Sequence, residues 1–344
     1  MNTLFAKILI CSTVVMLAVG LPQATMAQGS QGKKEEFVIF GDSLSDTGNR
    51  FFDTGSMNTP PYIFVASQNL IPSLPYAIGG PTYTNGKVWI QHVVRSLGHA
   101  GAAQAALRSN GIAANYAYSG ARASDELPLP PNGNRNLGDQ VGLYMSDVQS
   151  GGISPDTVHV IFIGGNDIAG GLFLASQGFD PTPVIANAVG SVFNSAVALA
   201  AAGAHRFLIV TAPNPGSIPA FGGDPAAIFG GAQLTTAFNC AVVGTGPSRP
   251  FCPPQPPGIP TVADALTGLF GAEVAVFDAQ DLFDDITASP GFYGLTNISQ
   301  PCIQPSQQPF QCENPGEYLY WDNIHPTAAV HRIFGDAVID AWTD

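Results

Sequence analysis

Ser43 follows the apolar run Phe37-Val38-Ile39-Phe40 and lies in the turn-like stretch Gly41-Asp42-Ser43-Leu44-Ser45-Asp46-Thr47-Gly48-Asn49. Such a run reads as a buried strand that delivers a hydroxyl to its end. Far along the chain, Trp321-Asp322-Asn323-Ile324-His325-Pro326 holds an acid and an imidazole three residues apart. An alcohol is a poor nucleophile near neutral pH, so Ser43 needs a base that takes its proton during attack and returns it to a leaving group. His325 is the candidate base, and Asp322 the group that orients its ring. That separation on a loop brings the carboxylate to the imidazole, and Pro326 with Thr327 suits the start of a helix that ties the pair to the core. Taken singly, each residue has an ordinary reading: Ser43 as a helix cap, Asp322 as a turn former, His325 as a solvated loop histidine.

Residues so distant in sequence meet only through a fold. Strand-like runs fall at residues 37–40, 158–163, 207–211 and 274–277, and residues 115–119 read as short and extended. Residues 182–202 and 260–271 read as helices. A further amphipathic helix follows Pro326, with Val330, Ile333, Phe334, Ala337, Val338 and Ala341 on one face. Alternating elements with fully apolar strands predict an α/β fold with a parallel sheet between helices, and ligands at the carboxyl ends of its strands, where Ser43 emerges. The Gly/Pro-rich stretch 219–260 does not divide the chain, because candidate elements on both sides belong to one sheet. Residues 28–344 therefore read as one domain.

Composition narrows the setting. Of 344 residues 45% are hydrophobic and 11% charged, which gives ample core and excludes a disordered chain. The net charge is -13 with only 12 Lys and Arg and no basic run, which argues against nucleic acid and anionic membrane as partners. Lys7, an uncharged apolar segment over residues 8–20 and small residues leading to Ala27 have the layout of a signal peptide over residues 1–27. The apolar run is too short for a comfortable bilayer span, so a secreted or periplasmic protein without a stable membrane span is expected. Cys11 falls within that segment. The remaining Cys240, Cys252, Cys302 and Cys312 permit three pairings. The sequence-local choice, Cys240 with Cys252 and Cys302 with Cys312, is favoured, as two surface bridges stapling loops rich in Gly, Pro or Gln. A metal site is the rival reading, but no pair is C-x-x-C and no histidine lies in either loop.

Four separated blocks resemble those of the GDSL, or SGNH, serine hydrolases, in that family's order. They are Gly41-Asp42-Ser43-Leu44 within GDSLSDTGN, Asn115-Tyr116-Ala117-Tyr118-Ser119-Gly120-Ala121, Gly164-Gly165-Asn166-Asp167, and Asp322-Asn323-Ile324-His325-Pro326. Asn85-Gly86-Lys87-Val88-Trp89 and Tyr293-Gly294-Leu295-Thr296-Asn297 are similar to the longer secreted branch. The resemblance spans nearly all of the chain after Ala27 and implies a flavodoxin-like three-layer α/β/α sandwich. It also implies Ser43, Asp322 and His325 as catalytic residues, with an oxyanion hole made of the Ser43 and Gly120 backbone N–H groups and the Asn166 side-chain amide. Asp42 and Asp46, which flank the nucleophile, read as turn and helix caps.

Rival signatures are absent. Ser45 stands where a G-x-S-x-G elbow needs glycine, and neither a phosphate-binding G-x-x-x-x-G-K-[ST] nor H-E-x-x-H occurs. His92, His99, His159, His205 and His331 show no metal-ligand spacing, so no cofactor is expected. The expected substrate is a small-molecule or lipid carboxylic ester. A carbohydrate acetyl ester, and an exported binding protein with a silent site, are the alternatives. Phe51-Phe52 and Pro60-Pro61-Tyr62-Ile63-Phe64 could wall an acyl pocket or equally pack over the core. Oligomeric state is not legible in the sequence.

Overall fold

The computed structural model describes residues 36–54, 81–108, 114–126, 128–148, 152–247, 249–253, 259–303 and 311–343. The expected signal peptide and residues 60–64 lie outside them. Chain order is β1 (Glu36–Gly41), α1 (Asn49–Thr54), α2 (Trp89–Ser96), α3 (Leu137–Asp147), β2 (Thr157–Phe162), α4 (Gly165–Ser176), α5 (Thr182–Ala201), β3 (Arg206–Val210), α6 (Pro225–Val243), α7 (Val262–Phe270), β4 (Glu273–Phe277), α8 (Ala279–Ala288), β5 (Asn297–Pro301), β6 (Tyr318–Tyr320) and α9 (Ala328–Thr343).

Strands β1 to β4 pair in parallel and in that order, with Phe37 opposite Val158 and Val158 opposite Arg206. The segment from Ala114 runs along the free edge of β1: Tyr116 and Tyr118 N–H donate to Ile39 O and Gly41 O at 2.7 and 3.0 Å, and Ile39 N–H donates to Ala114 O at 3.2 Å. Counted as a strand, it makes the spatial order second, first, third, fourth, fifth, which is the flavodoxin-like order. Because side chains alternate across a strand, the sheet carries two cores. Phe37, Ile39, Val160, Phe162 and Leu208 face α2, α8 and α9. Val38, Phe40, Ile161, Phe207 and Ile209 face α3, α5, α6 and α7. The result is the three-layer α/β/α sandwich expected.

The four strands and α5 lie within a residue of expectation; α7 begins two residues later than expected, and α9 begins at Ala328, two residues past Pro326. Ala341, expected on the buried face of α9, is exposed. The largest departure is α6, inside the Gly/Pro-rich stretch. Its proline stands at the first turn behind Asp224, whose carboxylate accepts Ala226 N–H at 2.9 Å, and Gly244 ends it. Proline and glycine there mark helix ends, not a loop. Gln140 of α3 supplies an unforeseen brace: its Oε1 accepts Gly41 N–H at 2.9 Å and its Nε2 donates to Gly41 O at 2.8 Å, continuing the ladder where β1 ends. A Cβ on Gly41 would stand 2.6 Å from Phe162 O, so only glycine lets β1 and β2 stay paired at this point.

Both bridges of the favoured pairing are present, Cys240–Cys252 and Cys302–Cys312, but they are not surface staples. Cys240 lies in α6, and it, Cys302 and Cys312 are buried. The second bridge is close to the last motif: Cys302 and Ile303 N–H donate to Tyr320 O and Trp321 O at 3.0 and 2.8 Å. It therefore braces the stretch that leads into Asp322. Replacing Cys302 and Cys312 together by Ser is expected to lower unfolding free energy by about 2–3 kcal/mol, read from denaturant midpoints.

His159, in the middle of β2, is fully buried, with Nε2 3.2 Å from the Tyr144 hydroxyl and Nδ1 3.3 Å from Arg206 O. Burial pushes its pKa down to about 4. The unfolded chain thus binds the proton more readily than the native one, so stability falls as pH drops from about 6.5 towards 4. His159→Gln removes that titration. The stability difference between parent and variant is expected to change by about 3 kcal/mol over this range, against the parent as pH falls, in denaturant titrations at several pH values.

Candidate active site

Ser43 sits just beyond the carboxyl end of β1, in a turn closed by Asp42: Asp42 O accepts Ser45 and Asp46 N–H, and Asp42 Oδ1 accepts Leu44 N–H at 3.0 Å. From the other side comes the loop between β6 and α9. Trp321 N–H donates to His325 O at 2.7 Å, and Asp322 Oδ1 accepts Ile324 and His325 N–H at 2.8 and 2.6 Å. Thr84 Oγ1 donates to Pro326 O, and Ala328 N–H to Asn85 Oδ1, so the N-G-K-V-W region anchors the same loop.

The three sequence-predicted residues meet. Ser43 Oγ lies 2.7 Å from His325 Nε2, and His325 Nδ1 lies 2.7 Å from Asp322 Oδ2. A carboxylate only accepts, so Nδ1 carries the ring proton and Nε2 is left to accept from the Ser43 hydroxyl. Asp322 and His325 are buried, whereas Ser43 opens on a cleft. This hydrogen-bonded line can withdraw a proton from Ser43 as it attacks a carbonyl.

Asn166 lines the cleft with Ser43, and Gly120 belongs to the neighbouring segment that Asn166 holds through Ala121 O. Gly120 has φ +79, and a Cβ there would lie 2.6 Å from Arg50 Nη1 and 2.7 Å from Asn134 Nδ2. Asn166 is in the first turn of α4 and donates one Nδ2 hydrogen to Ala121 O at 2.8 Å, with the other unused among the described residues. Along residues 119–124 five of the six backbone N–H groups have acceptors, and among the described residues Gly120 N–H has none. Ser43 N–H is likewise without one, although its neighbours Leu44 and Ser45 are bonded. Two backbone donors and one amide donor at a strand end can receive negative charge on an oxygen.

Sequence reasoning missed most of the cleft. It opens to solvent beside Ser43 and Asn166. Leu44, Phe162, Ala169, Ile218, Phe283 and Ile324 give it apolar walls; among the described residues no Lys or Arg lines it, and Asp42 is its one acid. Phe51 and Phe52 do not contribute. They pack edge to face on each other at 5.7 Å. Signals for Ile218 and Phe283 were lacking, because each is an ordinary apolar residue whose approach depends on tertiary packing.

Burial shapes the charges nearby. It pushes the Asp42 carboxyl up to about 6, against the opposing pull of Leu44 N–H and His325, and raises Asp46 as well. Asp167 is pushed up to about 7 by the same cause. His331 is pushed down to about 3 by burial, with His325 and His92 adding to it. Asp46 does cap the first turn of α1, accepting Gly48 and Asn49 N–H at 2.7 and 2.6 Å, but it also grips Ser119. Among the described residues no group of three His, Cys, Asp or Glu side chains is placed to hold a metal ion.

The chain is 26% identical over 330 residues to GDSL esterase/lipase At1g29660 of Arabidopsis thaliana, covering 86% of this chain and 84% of the relative. It is 22% identical over 319 residues to the thermolabile hemolysin of Vibrio parahaemolyticus, covering 88% of this chain but only 63% of the hemolysin. The solved phospholipase A1 of Streptomyces albidoflavus matches 91% of this chain and 99% of its own at 13% identity and a TM-score of 0.36, too low to bear on the fold. The GDSL-like Lipase/Acylhydrolase family model matches residues 37–338, from the first residues of β1 to the last turns of α9, and the chain belongs to that family.

Proposed function

We infer that the protein is a serine hydrolase of carboxylic esters with an apolar acyl group, using Ser43 as nucleophile, His325 as base and then acid, and Asp322 to orient the imidazole. The observation that carries this reading is the continuous line from Ser43 Oγ through His325 to Asp322, with 2.7 Å at both contacts. Ser43 Oγ bonds to the ester carbonyl carbon as its proton passes to Nε2, and the carbonyl π pair moves onto oxygen. That oxyanion faces Ser43 N–H, Gly120 N–H and the second Asn166 Nδ2 hydrogen, donors held in place before reaction. When the oxyanion collapses, the C–O bond to the alcohol breaks and the alcohol leaves with the proton from Nε2. A water then gives its proton to Nε2 and attacks the acyl-Ser43 ester; collapse releases the acid and returns the proton to Ser43.

The cleft supports the substrate class. Apolar walls with no cation among the described residues suit an uncharged ester with a hydrocarbon acyl chain and offer few partners for the hydroxyls of a polysaccharide. Two disulfides and the leader-like residues 1–27 support export to an oxidising compartment. An acidic surface with few cations is poorly matched to nucleic acid.

Ser43→Ala is expected to abolish hydrolysis of chromogenic esters while the circular dichroism spectrum is retained. Asn166→Ala is expected to cost about 10²–10³ in rate, since two backbone donors remain. In an ester panel, rates should favour apolar acyl chains over acetylated polysaccharide. Undiminished turnover by Ser43→Ala would remove the nucleophile assignment, and a preference for acetylated polysaccharide would overturn the substrate class.

A further inference from the structure

Two buried carboxylates hold the two ends of the segment that presents Gly120, and neither takes part in the proton transfers above. At one end, Asp46 Oδ2 accepts Ser119 N–H at 2.8 Å and the Ser119 hydroxyl at 2.7 Å. At the other, Asp167 Oδ2 accepts Ala123 N–H at 2.8 Å and Asp167 Oδ1 accepts Ser124 N–H at 3.2 Å. Each carboxylate is 1% exposed, and neither makes an ion pair among the described residues. Burying an ionised carboxylate is costly, and both resist ionisation for that reason, the Arg122 charge offsetting only part of the cost at Asp167. Amide donors are their compensation.

Their places in the chain give the pattern a use. Asp46 belongs to the turn that carries Ser43, and Asp167 directly follows Asn166. Each carboxylate therefore ties the Gly120 segment to an element that bears another oxyanion donor. Asn166 adds a third tie by donating to Ala121 O, and Arg50 Nη1 donates to Ser119 O at 2.8 Å. With Ser119, Ala121, Arg122, Ala123 and Ser124 N–H all engaged, the peptide at Gly120 has little freedom to reorient its own N–H. We propose that Asp46 and Asp167 are positioning residues that set the Gly120 amide from both ends of segment 119–124, and so fix the spacing of the three oxyanion donors. This rests on the reading of Ser43, Gly120 and Asn166 given above.

The test uses Asp167→Asn in the full exported protein. Asparagine has one acceptor oxygen, so either Ala123 or Ser124 N–H loses its partner while side-chain volume is kept. Active sites are counted by labelling with a serine-directed phosphonate, and kcat is expressed per labelled site. The expected result is a fall of about 10–100-fold in kcat with KM within twofold, smaller than for outright loss of a donor. Affinity for an alkyl boronic acid, whose tetrahedral adduct on Ser43 places an anionic oxygen among the same donors, should fall by a similar factor. A purely structural role would lower the number of labelled sites and leave both quantities per site unchanged, and that result overturns the proposal. Should Asp167→Asn fail to fold, Asp46→Asn reads the opposite end of the segment by the same two measurements and the same limits. Failure of the underlying reading is distinguishable, since the parent would then neither bind the boronic acid nor depend on Ser43 for turnover.

Discussion

Everything in this structure depends on holding His325 Nε2 2.7 Å from a serine hydroxyl that lies 282 residues earlier in the chain. Neither partner can do this alone, because a side chain on an unsupported loop samples too many positions. The parallel sheet supplies the first half. Strand β1 is buried on both faces between β2 and the edge segment from Ala114, so its carboxyl end is a fixed point. The second half comes from the loop after β6, pinned through Asp322 Oδ1, Trp321 N–H and Pro326 O to its own backbone and to Thr84. Trp89 joins the two: its ring stacks on Phe334 of α9 at 4.7 Å and its Nε1–H donates to Ser45 Oγ at 3.1 Å.

Burial of so many polar groups has to be offset by hydrogen bonds, and around the site it is. Asn115 donates to Ser45 O and accepts Ala117 N–H, while Asn49 donates to Asn115 O and Ala117 O and accepts Leu107 N–H. These bonds explain why the first motif extends past Ser43 to Asn49. Among the described residues the same accounting leaves Ser43 and Gly120 N–H over, as the proposed oxyanion role requires.

The sheet and the candidate trio were legible in the sequence because each strand and each motif is a local signal, although the contact that joins Ser43 to His325 spans 282 residues. Fully apolar β-branched runs announce buried parallel strands, and an acid three residues from a histidine announces a loop that can pair them. Helix α6 was not legible, since it has no charged residue and its Pro225 and Gly244 look like loop punctuation until Asp224 is seen to cap it. Gln140, Asp167 and the cleft walls were hidden for a different reason. Gln140 reaches Gly41 across 99 residues, and Asp167 reaches Ala123 across 44. No window of sequence contains such a contact. The disulfides show the same division: spacing suggested the partners, but only packing showed that Cys302 underlies Tyr320 and Trp321.

The central claim is that Ser43 becomes covalently acylated during turnover. Acid quenching during the burst phase of a chromogenic ester, followed by proteolysis and mass spectrometry, tests it directly. The account predicts that the acyl mass is found on Ser43 in the peptide spanning β1 and its turn, in proportion to the burst of released alcohol. Steady turnover with no acylated peptide and no burst, or an acyl group reproducibly on another residue, would contradict it.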